Sequence, residues 1–333
     1  MYRTLKELIA VPSISGREGA ICNTLRSMVE PLVDSVEVDA LGNLIAHKAG
    51  TGKDKKKILL CAHMDEIGFL VNFIEENGYI RISNIGGINF VASAFSPVVF
   101  ENGVKGVLVP EQRLEKLSDY NANRFYIDIG ATDRKDAEKR VKIGDFAVVA
   151  PSMTRLAHKR VAGRPFDDRI GCAILLKIAE ALDTCEHDVD FVFSVQEEVG
   201  CRGAKTAGYA SAPDYALVFD VTGTGDAIGA APMAVKVGGG AAIKIKDSSV
   251  ICDGETVTKL TEVAKANKIK HQHEILLYGG TDTSSMQMAK GGCRAAALSI
   301  PSRYIHSGVE VIDMADAEAC VELTAKFIES VEC

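Results

Sequence analysis

Ile58-Leu59-Leu60-Cys61-Ala62 runs without a charged side chain into His63-Met64-Asp65, directly after a lysine-rich turn from Lys53 to Lys57. So short an apolar run, bounded by polar residues, suits a strand buried on both faces. Similar runs recur at Val189 to Val195, Tyr215 to Phe219 and Ala295 to Ile300. Between the runs that start at 58 and 189, a helix is expected over Arg169 to Leu182, with Ile170, Ala173, Ile174, Ile178 and Ala181 on one face. Further helical patterns cover Glu255 to Asn267 and Asp316 to Ser330. Ser15-Gly16-Arg17-Glu18 reads as a capping box that opens a helix through about Met28. Strands alternating with helices define an α/β layered domain.

The stretch from Gly68 to His158 follows another rule. VNFIEENGYIRI carries Asn77-Gly78 at its centre, a strong hairpin signal, and VKGVLVP, RFYIDIG and GDFAVVA are short strand-like segments with nearby glycines. The expected organisation is a discontinuous α/β domain, residues 1–67 and 159–333, with a small all-β domain of residues 68–158 inserted in it.

Composition narrows the function. The 333 residues are 47% hydrophobic and 25% charged, an ordinary globular profile with ample material for a large core. Forty-five acids against 38 bases leave a net charge of −7, which argues against a general nucleic-acid or anionic-membrane binder. No apolar run approaches the ~20 residues that a bilayer span requires. The first residues space their apolar positions as on an amphipathic helix, not as in a signal peptide. Nine cysteines, an odd number without CxxC spacing, weigh against both a zinc finger and a disulfide framework. The expected setting is cytoplasmic, with reduced thiols.

Polar residues gather at the C-terminal ends of the buried runs, the edge where ligands bind in open α/β sheets. His63 and Asp65 stand two apart, so a strand can present both on one face, and a carboxylate beside a histidine orients it as a metal ligand requires. Taken alone, that tripeptide reads as a structural histidine. Asp167-Asp168 precede the helix at Arg169; one of the pair serves as its N-cap and leaves the other free to bind. Glu197 and Glu198 follow the run at 189–195, where paired acids are costly to bury without a cation or a proton. Asp220 and His306 close two further runs. Two histidines with three carboxylates exceed what one catalytic zinc takes. They fit two divalent ions sharing a bridging carboxylate, about 3.5–4 Å apart, with an extra glutamate to handle the proton of a water.

The ordered set HMDEIGF, FDDRIG, QEEVG, FDVTGTGD, YGGTDTS and IPSRYIHSG closely resembles the tetrahedral metalloaminopeptidase family, which includes glutamyl, leucyl and lysyl aminopeptidases and some members named endoglucanase. The match spans nearly the whole chain. It implies an α/β/α layered, zinc-peptidase-like catalytic domain with an inserted β domain of PDZ-like or barrel form. It implies two divalent ions per chain, zinc first, with cobalt or manganese as alternatives. His63 and Asp220 become the terminal ligands of one ion, Glu198 and His306 those of the other, and Asp167 the bridge, by its offset from Gly171. Glu197 becomes the general base and Asp65 the partner of His63. Gly279-Gly280-Thr281-Asp282 matches a further family motif near the site, with a role in positioning substrate. The implied activity is removal of N-terminal residues from short peptides. The implied assembly is a homo-oligomer, a dodecamer built from dimers that the β domain makes.

Three other functions compete. A metal-dependent deacylase or dipeptidase would share the whole site. An endoglucanase-type glycosidase would need a carboxyl pair flanking a sugar, and leaves His63, Asp220 and His306 without purpose. A binding or scaffold protein that has lost activity would have no need of Glu197.

Overall fold

In the computed structural model, which describes residues 1–332, the apolar runs become the centre of an 11-stranded sheet. The chain enters through the helices α1 (Tyr2–Ile9) and α2 (Gly19–Val29) and the strands β1 (Ser35–Val38), β2 (Leu44–Lys48) and β3 (Lys57–His63). It then leaves the sheet for β4 (Gly68–Ile74), β5 (Ile80–Ile85), β6 (Pro97–Phe100), β7 (Lys105–Pro110), β8 (Phe125–Asp128) and β9 (Phe146–Val149), with the short helices α3 (Phe90–Ser93) and α4 (Arg134–Glu138) between them. These six strands close into a barrel in the order β4-β5-β8-β7-β6-β9.

The return is by β10 (Ser152–Arg155), β11 (Arg160–Arg164), α5 (Arg169–Ala181), β12 (Asp188–Ser194), α6 (Arg202–Ser211) and β13 (Tyr215–Thr222). The remaining elements are β14 (Ala241–Lys246), α7 (Gly254–Ala266), β15 (His271–Ile275), α8 (Thr283–Gln287), β16 (Arg294–Arg303), β17 (Glu310–Asp313) and α9 (Met314–Ser330). The sheet order is β1-β2-β12-β3-β13-β16-β17-β11-β10, and β14 joins β16 with β15 outside it. At its centre β12, β3, β13 and β16 run parallel, so their C-terminal ends share one edge.

Why these runs lack polar alternation is now plain. Ile58, Leu60 and Ala62 of β3 enter the core under α1, α2, α5, α7 and α9, whereas Leu59 and Cys61 enter the opposite core with Ala204 and Ala207 of α6 and Met286 of α8. A strand covered on both faces has no side from which polar residues reach water. The barrel has its own core, which includes Phe69, Ile80, Phe100, Phe125 and Ile127. Among the described residues, no helix is long and apolar enough to cross a membrane.

Two expectations need correction. The helix read from Ser15 opens at Gly19, and Glu18 occupies its N-cap position with no side-chain cap bond. Both residues of the expected capping box are drawn away from the helix: Ser15 Oγ donates to Asp65 Oδ2 (2.6 Å), and Glu18 Oε1 accepts from the N–H groups of Gly16 (2.8 Å) and Gln196 (3.1 Å). The insertion read as 68–158 also runs too far, because β10 pairs with β11 in the large sheet and the barrel ends at Val149. Periodicity separates strand from helix, but not one sheet from the next.

Buried charge locks the exit of β3 to the entry of α5. The Glu66 carboxylate is fully buried between the guanidiniums of Arg164 and Arg169, each 3.4 Å away, and it also accepts from the Ser13 N–H. Removing the anion would leave two buried cations without their partner. Glu66→Ala is therefore expected to lower the unfolding free energy by about 3–5 kcal/mol, read from urea denaturation at fixed metal content. A loss under 1 kcal/mol would show that the knot contributes little.

Candidate active site

The expected residues converge at the C-terminal edge of the sheet. His63 closes β3, Asp167 lies between β11 and α5, Glu197 and Glu198 follow β12, Asp220 lies near the end of β13, and His306 follows β16. Gln196 takes a left-handed backbone (φ 56°), and this turn breaks the strand alternation so that both glutamates reach the same cleft. His306 is left-handed as well (φ 60°). Two such non-glycine residues at one edge are strain of the kind that functional sites accumulate.

Asp167 is the centre of the cluster. Its Oδ1 lies 3.1 Å from His63 Nε2 and its Oδ2 lies 3.1 Å from His306 Nε2. Asp220 Oδ1 is 3.9 Å from His63 Nε2, and Glu198 Oε2 is 3.2 Å from His306 Nε2. Two donor groups result, His63–Asp167–Asp220 and Asp167–Glu198–His306, and each brings its ligand atoms within 4.8 Å of one another. Glu197 belongs to neither and gathers instead with Cys201 and Asp282.

Asp168 does the capping, with its carboxylate accepting from the Gly171 N–H at 3.0 Å. A Cβ at Gly171 would come within 2.2 Å of that carboxylate, so any other residue there would displace the cap. The peptide bond joining Asp167 to Asp168 is cis. Asp65 turns its backbone carbonyl (3.1 Å) and carboxylate (3.4 Å) toward His63 Nδ1. It also accepts from the N–H groups of Glu197 (3.1 Å) and Glu198 (3.3 Å), so one side chain orients the histidine and holds the glutamate loop.

The electrostatics call for positive charge. Burial, then the charge of Asp167, pushes Asp220 well above the usual carboxylate range, and the same two causes raise Glu198. Burial also lifts Glu197 far up, reinforced by Asp220, Asp282 and Glu198. Burial alone would pull His306 down, yet Asp167 and Glu198 raise it to about 11. Asp167 and Asp65 raise His63 in the same way, against its burial. Glu198 Oε1 is buried without a hydrogen-bond partner among the described residues. Imidazole nitrogens and carboxylate oxygens suit a divalent transition ion, and an orphaned carboxylate oxygen beside them fits one.

Three supporting residues escaped the sequence reading or were seen only in part. Glu310 is fully buried and accepts from the N–H groups of Phe166 (2.5 Å) and Asp167 (3.3 Å); burial, then Asp167, raises it to about 7. An acid within the apolar segment Val309 to Ile312 was the available signal. Glu66 stands beside Asp65 in the motif HMDEIGF, with no sequence signal of its distant arginine partners. Asp282, seen only as part of a motif, accepts from Ser194 Oγ (2.5 Å), and burial lifts it to about 6. The barrel also reaches the site. The Asn89 N–H donates to the His306 carbonyl (2.9 Å), and a Cβ on Gly86 (φ 74°) would meet Glu198 Cβ at 3.2 Å.

Residues 42–323 match the family described as M42 glutamyl aminopeptidase. An Acetivibrio thermocellus protein bearing an aminopeptidase name is 43% identical over 328 residues, 98% of each chain. A solved aminopeptidase of the archaeon Desulfurococcus kamchatkensis superposes with a TM-score of 0.94 at 34% identity, over 99% of this chain and 94% of that one. The Pyrococcus horikoshii TET1 peptidase, whose structure is described as assembling into a tetrahedron or a large octahedral shell, gives 0.86 at 34% identity over 99% of each chain. The chain belongs to the M42 glutamyl aminopeptidase family. It is a peptide-bond hydrolase.

A cation bound among these carboxylates would relieve their mutual repulsion only in the folded state. Protein loaded with a divalent ion at 100 times its Kd is expected to gain about 2.7 kcal/mol over chelator-treated protein, seen as a higher Tm. Superimposable melting curves would show that the cluster binds no such ion.

Proposed function

We propose that this aminopeptidase works with two divalent ions per chain, one held by His63 and Asp220, the other by Glu198 and His306, with Asp167 shared between them. The observation that carries the reading is the division of the Asp167 carboxylate, one oxygen toward each histidine. Ions bound there supply Lewis-acid activation of water and of the peptide carbonyl. Glu197, outside both donor groups, takes the proton from the attacking water and delivers it to the leaving amine. Its raised pKa suits a group that must hold that proton briefly. Asp65 keeps Glu197 and Glu198 in place through their backbone N–H groups and orients His63. Asp168 caps α5, and Glu310 fixes the backbone at Asp167.

The substrates on this reading are short peptides with a free N-terminus. The likeness to the TET1 peptidase supports a large homo-oligomer, with a dodecamer made of dimers as the proposed form. Light scattering across a wide concentration range should show that species or its dimer; monomer throughout would contradict it.

Glu197→Gln and Glu198→Gln separate the two glutamate roles. Glu197→Gln is expected to keep its metal and lose about 10²–10⁴-fold in turnover, the usual contribution of a general base. Glu198→Gln is expected to lose occupancy of one ion, measured by elemental analysis beside the peptidase rate. Full activity in both variants would remove this pair from the mechanism, and the opposite pattern would exchange their roles.

A further inference from the structure

The cleft beside the His63–Asp167–His306 cluster extends between Val221, Thr222, Leu276, Tyr278 and Ile305. None of these five side chains is charged. The carboxylates that reach the cleft are Asp167, Glu197, Glu198 and Asp220, and all four are engaged in the proposed metal binding and proton transfer. No lysine or arginine lines it among the described residues.

One cation lies behind this wall. Lys244 is fully buried, and its Nζ is held by Glu274 Oε1 (2.7 Å) and Asp247 Oδ2 (3.3 Å). Thr222 Oγ1, on the cleft wall, donates to the same Glu274 oxygen (2.8 Å). Lys244 is thus paired with two buried carboxylates and does not itself line the cleft. Leu276 is half-buried, and its two methyl carbons each lie 3.9 Å from where a Cβ on Gly223 or Gly279 would sit. Both neighbours lack side chains, which leaves open room along the leucine.

We infer that this cleft receives the side chain of the substrate's N-terminal residue and selects apolar residues over acidic and basic ones. A glutamate side chain would find no cation there, and a lysine side chain no uncommitted carboxylate. Either would lose hydration against apolar walls without a compensating partner. A leucine or methionine side chain gains from the same burial. This inference rests on the aminopeptidase reading above.

The test uses full-length, metal-loaded protein and a series of aminoacyl p-nitroanilides. The leucyl and methionyl substrates are expected to exceed the glutamyl and lysyl ones in kcat/KM by at least tenfold, within the range that apolar pockets discriminate. Free L-leucine is expected to compete at least tenfold more tightly than L-glutamate or L-lysine, a binding readout independent of turnover. Leu276→Arg places a cation on the wall and should raise the glutamyl-to-leucyl ratio of kcat/KM at least tenfold, a gain that misfolding does not produce. Hydrolysis with a preference for a charged residue would overturn the inference and leave the aminopeptidase reading standing. An unchanged ratio in Leu276→Arg would take this wall out of the specificity site and overturn the inference as well. No hydrolysis of any member of the series would overturn the aminopeptidase reading, and the inference with it.

Discussion

Carboxylates crowded at the end of a sheet buried on both faces are the constraint on which this structure turns. Asp167, Glu198 and Asp220 share one small volume with His63 and His306. Charges so close, and out of water, repel one another strongly unless positive charge lies between them. The direction of every shift in the cluster expresses that demand: acids other than Asp167 are pushed toward their neutral forms, and both histidines toward their charged forms. Divalent ions answer it more fully than protons can, because each brings two charges to a point that several oxygens reach together.

Donor groups so arranged must stay in place while their charges change. Here the holding groups are backbone N–H donors, whose positions the fold has already determined. Glu310 holds the N–H groups of Phe166 and Asp167, Asp65 those of Glu197 and Glu198, and Glu18 that of Gln196. Each supporting acid is thus spent on a loop that carries a donor of the cluster. The Glu66–Arg164–Arg169 knot ties the ends of β3 and β11 to the start of α5, the segments that flank His63 and Asp167. Local helix capping gives way to this arrangement at Ser15 and Glu18, which serve the site in place of α2.

The barrel is more than an appendage to the large sheet. Its chain segment around Gly86 and Asn89 packs on Glu198 and bonds to His306, so part of the site's wall comes from the insertion. The cleft wall around Leu276 and Ile305 comes from the segments after β15 and β16. The donor cluster, the cleft beside it and a segment of the insertion therefore meet at one edge of the sheet.

The buried strands, the helices that cover them and the residues at their ends are legible in the amino-acid sequence. A strand enclosed on both faces must be continuously apolar, so any acid or histidine that closes such a run stands out, as His63, Glu197, Glu198, Asp220 and His306 do. The residue pattern leaves Asp167 and Asp168 open; the family resemblance, by the offset from Gly171, points to Asp167, and the structure gives Asp168 the helix cap. Which oxygen of Asp167 faces which histidine, and which residues hold the donor side chains from behind, depends on how distant segments pack. Glu66 and Glu310 escaped notice because their partners lie far along the chain: Arg164 is 98 residues from Glu66, and Phe166 is 144 from Glu310. Periodicity and capping rules reach a few residues either way. The charge pairing that makes this site is set by distance in space, which the chain acquires only when the strands assemble.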